Sequence, residues 1–303
     1  MSKFACPMIE PKKIRIAIAS GKGGTGKTLI STNLFYVLQQ LNYKVTLIDC
    51  DAEEPNVMVF FEGEEEFVQD VTQKVPVIDT TKCTFCGKCQ EYCSYNAIFM
   101  LRDMKIIRIL EDLCHGCGAC SVACKYDSIS DKDISLGKIT RYHSDLQSSI
   151  IEAKVRVGVF SPVSVIKAAI KEAGNNEIIL MDSPPGTSCP FIQTVAVADF
   201  VILVTEPTPF GLSDLRQSVE TLKTMNKSYG VIINRAGLGD KAVYEYLLGE
   251  NIPLLAEIPF DKEVASLYSK GEIVAKYKPE WKTLFETMFN TIYEKNGNIN
   301  NKW

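Results

Sequence analysis

Two groups of residues in this 303-residue sequence could do chemistry. The first is the stretch SGKGGTGKT at positions 20–28, where Gly21, Gly26, Lys27 and Thr28 satisfy the pattern G-x-x-x-x-G-K-[ST]. Gly21, Gly23, Gly24 and Gly26 leave the main chain free to turn its N–H groups, Thr25 included, around phosphate oxygens. The helix expected to follow adds the positive end of its dipole. Lys27 is placed to reach β- and γ-phosphates, and the Thr28 hydroxyl to bind Mg²⁺. The alternative is a glycine-rich turn without ligand. A second lysine, Lys22, stands inside the glycine run, where a phosphate loop does not need one.

The second group is a block of cysteines. Eight of the eleven fall in two runs, Cys83, Cys86, Cys89, Cys93 and Cys114, Cys117, Cys120, Cys124. Both read C-x₂-C-x₂-C-x₃-C, which resembles the bacterial ferredoxin arrangement, in which the fourth cysteine of each run ligates the other cluster. Three thiolates in one tight loop wrap three corners of a cube, and the fourth corner is met from elsewhere. The resemblance implies one [4Fe–4S] cluster on Cys83, Cys86, Cys89 and Cys124, and a second on Cys93, Cys114, Cys117 and Cys120. Zinc is the alternative, but its sites more often use two separated C-x₂-C pairs. Disulfides fit a short secreted scaffold better than this chain. Ser94 and Lys125 stand where ferredoxins commonly carry proline.

These residues need a scaffold. The apolar segment 14–20 runs into the glycine loop, and Leu29, Ile30, Leu34, Val37, Leu38 and Leu41 then recur at helical spacing. Segment 44–51 is a second buried strand ending in acids. Strand, glycine loop, helix and strand make a βαβ unit. Further buried strands are expected at 177–182, 199–207, 229–235 and 254–260, with helical patterns such as 213–225 between them. The expected fold is α/β: a doubly wound, mostly parallel sheet of the P-loop NTPase type, with a small inserted ferredoxin-like α+β domain. The expected boundaries are 1–78 and 132–303 for the ATPase domain and 79–131 for the insert, which buries too little surface to fold without staples. The acidic stretch 62–67 reads as solvated loop, and segment 134–144 as a hairpin returning the chain to the sheet.

With these motifs quoted, the chain resembles the MinD/ParA class of P-loop ATPases with a deviant Walker A motif. That class includes the nitrogenase iron protein and the Mrp-type iron–sulfur ATPases. The resemblance implies that Lys22 reaches across a dimer interface to the other subunit's nucleotide; the alternative is an exposed loop lysine. It implies that DCDAEEPN at 49–56 is switch I, with Asp51 orienting or deprotonating the attacking water and Asp49 on the Mg²⁺ side. Capping the next helix is the alternative for this pair. It makes DSPPGTS at 182–188 switch II, with Asp182 holding Mg²⁺ through water and Gly186 offering its N–H to a γ-phosphate. Asn234 matches the residue that reads the adenine edge. Cys189 lies where the iron protein has a cluster ligand, so two copies could meet across a dimer; otherwise it is a buried small thiol.

Net charge is −4, which argues against a broad nucleic-acid footprint. No apolar stretch is long enough to span a bilayer, and residues 1–13 lack a signal-peptide core, so a reducing cytoplasm is expected. The expected cofactors are ATP/ADP, Mg²⁺ and two [4Fe–4S] clusters per chain. The first functional reading is an ATP-dependent homodimer, slow in hydrolysis without its partner, that couples turnover to electron transfer toward a redox or metallocofactor-assembly protein. The second is a carrier or scaffold for clusters. The third is a positioning ATPase with a redox sensor. The aromatic stripe of the last helix, Trp281, Leu284, Phe285, Met288, Phe289, Ile292 and Tyr293, reads as docked on the sheet.

Overall fold

The computed structural model describes residues 13–145, 148–174 and 176–299. Cys6 therefore lies outside the described residues. In chain order the elements are β1 (Ile14–Ala19), α1 (Lys27–Gln40), β2 (Val45–Asp49), β3 (Glu64–Ile78), α2 (Lys88–Glu91), β4 (Ile98–Leu101), β5 (Ile106–Ile109), α3 (Ala119–Ala123), β6 (Ile129–Asp145) and β7 (Ser148–Val155). They continue with α4 (Val163–Glu172), β8 (Ile178–Asp182), α5 (Cys189–Ala196), β9 (Phe200–Thr205), α6 (Pro209–Thr224), β10 (Ser228–Ala236), α7 (Ala242–Gly249), β11 (Leu254–Pro259), α8 (Lys262–Ser269), α9 (Val274–Tyr277) and α10 (Pro279–Ile299).

Nine strands form one sheet in the order β11-β10-β9-β1-β8-β2-β7-β6-β3. β1, β2 and β7 to β11 pair in parallel, whereas β6 runs antiparallel to both its neighbours. The continuous aliphatic runs of β2, β8 and β9 are buried on both faces, as parallel strands covered by helices must be. Alternate residues of β1 serve opposite cores. Ile16 and Ile18 pack with Leu34, Phe35, Phe285 and Phe289 of α1 and α10. Ala17 and Ala19 pack on the other face with Phe191, Leu215 and Val219 of α5 and α6. The stripe of α10 docks as the sequence suggested: Trp281, Phe285, Met288, Phe289 and Ile292 are buried.

Two local readings are corrected. The acidic stretch 62–67 is not all loop: Glu64 to Phe67 open the 15-residue strand β3. Its charges look like loop because β3 is the sheet edge, where charged side chains block further pairing. Segment 134–144 is not itself a hairpin but part of the single 17-residue strand β6. β6 pairs with β7 from Gly137 outward and with β3 over its whole length, so residues 129–136 and 72–78 leave the sheet as a two-stranded stalk. The cysteine segment hangs from the stalk tip. Its elements are short: β4 and β5 form a two-stranded sheet, and α2 and α3 span four and five residues.

Candidate functional site

The glycine loop joins β1 to α1 at the carboxyl edge of the sheet, with β8 beside β1 on one side and β9 on the other. Gly26 caps α1 at φ 101°, and no side chain caps that end, so the first amides of the helix are left for a ligand. A side chain at Gly26 would meet Asn234 Nδ2 at 2.4 Å, and one at Gly21 would meet the Asp214 carbonyl at 2.5 Å. Gly23 and Gly24 instead face open space. The loop is held from inside: Ser20 Oγ donates to the Lys22 carbonyl at 2.6 Å, and Asn234 Nδ2 donates to the Thr25 carbonyl at 2.8 Å.

Lys27 is buried, and burial pushes its ammonium down while Asp182 and Asp51 hold it up. Asp182 ends β8 fully enclosed; neither carboxylate oxygen has a partner at hydrogen-bonding geometry among the described residues, although Lys27 and the Thr28 and Ser31 hydroxyls stand near enough to favour its ionised form. Burial raises it to about 6, against the pull of Lys27. A buried carboxylate without partners is the mark of a cation or water that completes it. Asp49 differs. Its oxygens accept from the N–H groups of Asp51, Asn56 and Val57 at 3.1, 2.8 and 2.9 Å, so it pins the loop after β2. Burial and neighbouring Asp182 push it well above the usual carboxylate range. Asp51 is partly buried, raised by that burial and held down by Lys27. The Gly186 N–H donates to the Ser20 carbonyl at 3.1 Å, tying the loop after β8 to the glycine loop.

Lys22 points to a residue that sequence reasoning missed. Its ammonium lies 3.6 Å from Glu206 Oε2, and Glu206 Oε1 accepts a 2.6 Å bond from Arg235 Nη1. The signal was there: Glu206 directly follows β9, which is buried throughout, at the edge where ligands bind. Also unforeseen is a cavity of about 300 Å³ between the glycine loop and the β11–α8 turn, lined by Gly24, Asn234, Phe260, Val264 and Tyr268. Its size and apolar lining suit the organic part of a small ligand. Cys189 is exposed at the start of α5, and Cys50 is fully buried.

At the stalk tip the cysteines sort into two cavities. One, of about 210 Å³, is lined by Cys93, Cys114, Cys117 and Cys120. The other, narrower at about 20 Å³, is lined by Cys83, Cys86, Cys89 and Cys124. The fourth cysteine of each run thus faces the cavity of the other run. Gly87, Gly116 and Gly118 take positive φ, which curls the loops, and N–H groups of Phe85, Ala97 and Gly116 point at the sulfurs of Cys83, Cys93 and Cys114 at 3.3–3.5 Å. Burial pushes the Cys89, Cys114 and Cys120 thiols up, whereas the Ser128 hydroxyl holds Cys124 down. Among the described residues no three His, Cys, Asp or Glu side chains converge closely enough to hold one metal ion. No described helix is long and apolar enough to cross a membrane.

Comparison with known proteins agrees with the parallel sheet and its glycine loop. An uncharacterised protein of Methanocaldococcus jannaschii is 35% identical over 268 residues, covering 86% of this chain and 91% of its own. A protein of Aquifex aeolicus named iron–sulfur cluster carrier protein is 28% identical over 298 residues, covering 90% of this chain and 66% of its own. The fold matches that of the septum site-determining protein MinD of Pyrococcus horikoshii, solved with Mg-ADP, at a TM-score of 0.56 and 22% identity, over 92% of this chain and 96% of that one. The family described as the CobQ/CobB/MinD/ParA nucleotide binding domain matches residues 16–274, from β1 to the start of α9. The chain belongs to this family of nucleotide-hydrolysing P-loop ATPases.

Proposed function

We propose that the chain works as a homodimer that couples Mg-ATP binding and hydrolysis to electron transfer through two [4Fe–4S] clusters per chain, toward a redox or metallocofactor-assembly partner. Residues 79–131 are the cluster-bearing insert, and 1–78 with 132–303 the ATPase. The observation that carries the reading is the sorting of eight cysteines into two four-cysteine cavities with crossed membership. A cubane holds its thiolates apart at its corners, so the donor set suits it where a single ion finds no convergent ligands. Such clusters, when bound, supply one-electron carriers.

In the ATPase, Lys27 and the open amides at the start of α1 hold the phosphates. Thr28 and the unpartnered Asp182 take Mg²⁺, while Asp49 keeps switch I in place from behind. Asp51 orients the attacking water and accepts its proton. The Gly186 N–H exchanges the Ser20 carbonyl for the γ-phosphate. Asn234 borders the cavity for the base while bracing the glycine loop. Lys22 leaves Glu206 for the nucleotide of the second subunit, so pairing requires triphosphate.

Anaerobic purification followed by iron and sulfide analysis and EPR of the reduced protein tests this. The expected content is about eight iron atoms per chain, with two interacting S = 1/2 signals. Zinc in place of iron, or a single signal, contradicts it. A second reading, a carrier that hands clusters to other proteins, is favoured by exposed Cys189 beside switch II and by the name of the Aquifex relative. It requires additional labile iron that Cys189→Ser removes.

A further inference from the structure

The stalk does more than hold the cysteine segment away from the sheet. At its base, the Val155 N–H donates to the carbonyl of Ala52, in the segment that follows Asp51, at 2.9 Å. The next residue, Arg156, donates its N–H to the Leu136 carbonyl of β6 at 2.8 Å. Leu136 is free to accept because it is a bulge. Val71 pairs with Gly137 and Thr72 with Ser135, so Leu136 has no partner in the β3–β6 ladder. A bulge leaves its extra residue outside the ladder, so the Leu136 carbonyl is available to Arg156. Gly137 beside it cannot carry a side chain: a Cβ there would stand 2.3 Å from the Lys154 carbonyl and 2.9 Å from Val155 Cα. Switch I, the end of β7 and the stalk base are therefore locked together through backbone groups.

The stalk also grips one cysteine loop directly. Gln73 Nε2 donates to the Cys114 carbonyl at 2.7 Å. A Cβ at Gly116 would meet Gln73 Cγ at 2.8 Å and the Lys74 carbonyl at 3.0 Å, so that loop lies flat on β3. Lys74, Pro76 and Asp131, all stalk residues, line the same cavity. Of the stalk, only its last residues, Ile78 and Ile129, line the other cavity, with Ser128 just beyond them. Lys74 and Pro76 lie four and two positions before Ile78, about 13 and about 7 Å along the stalk. The site of Cys93, Cys114, Cys117 and Cys120 is thus the inner one.

Resting on the reading above, we propose that Gln73 is the positioning residue through which nucleotide state reaches the clusters. The path runs from Ala52 through Val155, Arg156 and Leu136 along β3 to the Cys114–Cys117 loop, and it acts on the inner site and not on the outer one. Gln73 touches no nucleotide and ligates nothing; its amide holds the loop that carries two of the inner thiolates. Gln73 directly follows Thr72 at the bulge, so movement there reaches it through one peptide bond with no linker between.

The test compares wild type with Gln73→Ala, each with ADP or a non-hydrolysable ATP analogue, by two readouts. By EPR, the analogue should change the signal that Cys117→Ser abolishes and leave unchanged the signal that Cys86→Ser abolishes; Gln73→Ala should keep both signals and lose the response. By hydrogen–deuterium exchange, the analogue should alter uptake across 71–78 and 112–118 but not 81–88, and Gln73→Ala should cut the change at 112–118 at least threefold. A response in both signals, or one undiminished in Gln73→Ala, overturns the proposal. Protein without iron would refute the electron-transfer reading instead. The exchange measurement then decides this inference alone: no nucleotide-dependent change in 71–78 and 112–118 overturns it.

Discussion

Lys22 is held in its own subunit by Glu206, 3.6 Å away, while Arg235 occupies the other oxygen of the same carboxylate at 2.6 Å. Glu206 is nearly buried, and Lys22 is about one-third exposed. The lysine assigned to the partner's nucleotide thus rests on an internal acid that must release it. With one partner partly exposed and the ions 3.6 Å apart, a contact of this kind is worth about 1 kcal/mol, a factor of about five in an equilibrium. Glu206→Gln should therefore lower the nucleotide concentration at which dimers form by roughly threefold to fivefold. Sedimentation velocity across an ATP-analogue titration checks this; an unchanged midpoint means that the contact does not restrain Lys22.

Asp182 gives the ATPase a pH dependence. Its folded value of about 6 lies above the ordinary 3.8. The folded state then binds more protons between these values, so the group's contribution to stability is complete below about pH 4. It is lost as pH rises through 6. Above pH 6 the nucleotide-free protein carries the cost of an ionised, unpartnered carboxylate, on the order of 3 kcal/mol. Asp182→Asn should raise the melting temperature of nucleotide-free protein at pH 7.5 by several degrees. Mg²⁺-dependent nucleotide affinity in wild type should climb as pH rises to about 6 and then level off. Calorimetry at pH 5, 6 and 7.5 reads both; an affinity flat across this range removes Asp182 from the Mg²⁺ site.

Crossed membership of the cavities predicts a counter-intuitive variant. Cys124 is distant in sequence from Cys83, Cys86 and Cys89 but shares their cavity. Cys124→Ser should disturb the same EPR signal as Cys86→Ser, and Cys93→Ser the same one as Cys117→Ser. Signals that group by sequence run instead would refute the crossing.

Asn234 braces the glycine loop through the Thr25 carbonyl. Asn234→Ala leaves that carbonyl without its donor, a loss of about 1–3 kcal/mol if water does not replace it. Nucleotide affinity should fall roughly tenfold, with Lys27 and Asp182 intact. Titration with a fluorescent ATP analogue measures it, and unchanged affinity means that the loop needs no brace.

Apart from β7, which no expected strand covered, the parallel core was legible because its strands are aliphatic runs bounded by turn residues and its loop carries a spaced motif. Asp49, Asp51 and Asp182 could be found because each ends such a run at the carboxyl edge. The stalk was not legible. β3 and β6 leave the sheet and are exposed along much of their length, so Glu64, Glu65 and Glu66 read as solvent-facing loop rather than strand. Glu206 was marked only by its place just after β9; its pairing with Arg235 of β10 escaped because no local spacing announces it. The cysteine sets were readable because three of four donors sit in one loop, whereas the grip of Gln73 on Cys114 depends on register alone.

Nucleotide-driven pairing is most directly measured by analytical ultracentrifugation of cluster-loaded protein saturated with a non-hydrolysable ATP analogue. Wild type should sediment at twice the 33.7 kDa chain mass, returning to one chain with ADP or in Lys22→Ala. Wild type still at 33.7 kDa with nucleotide demonstrably bound would contradict the mechanism.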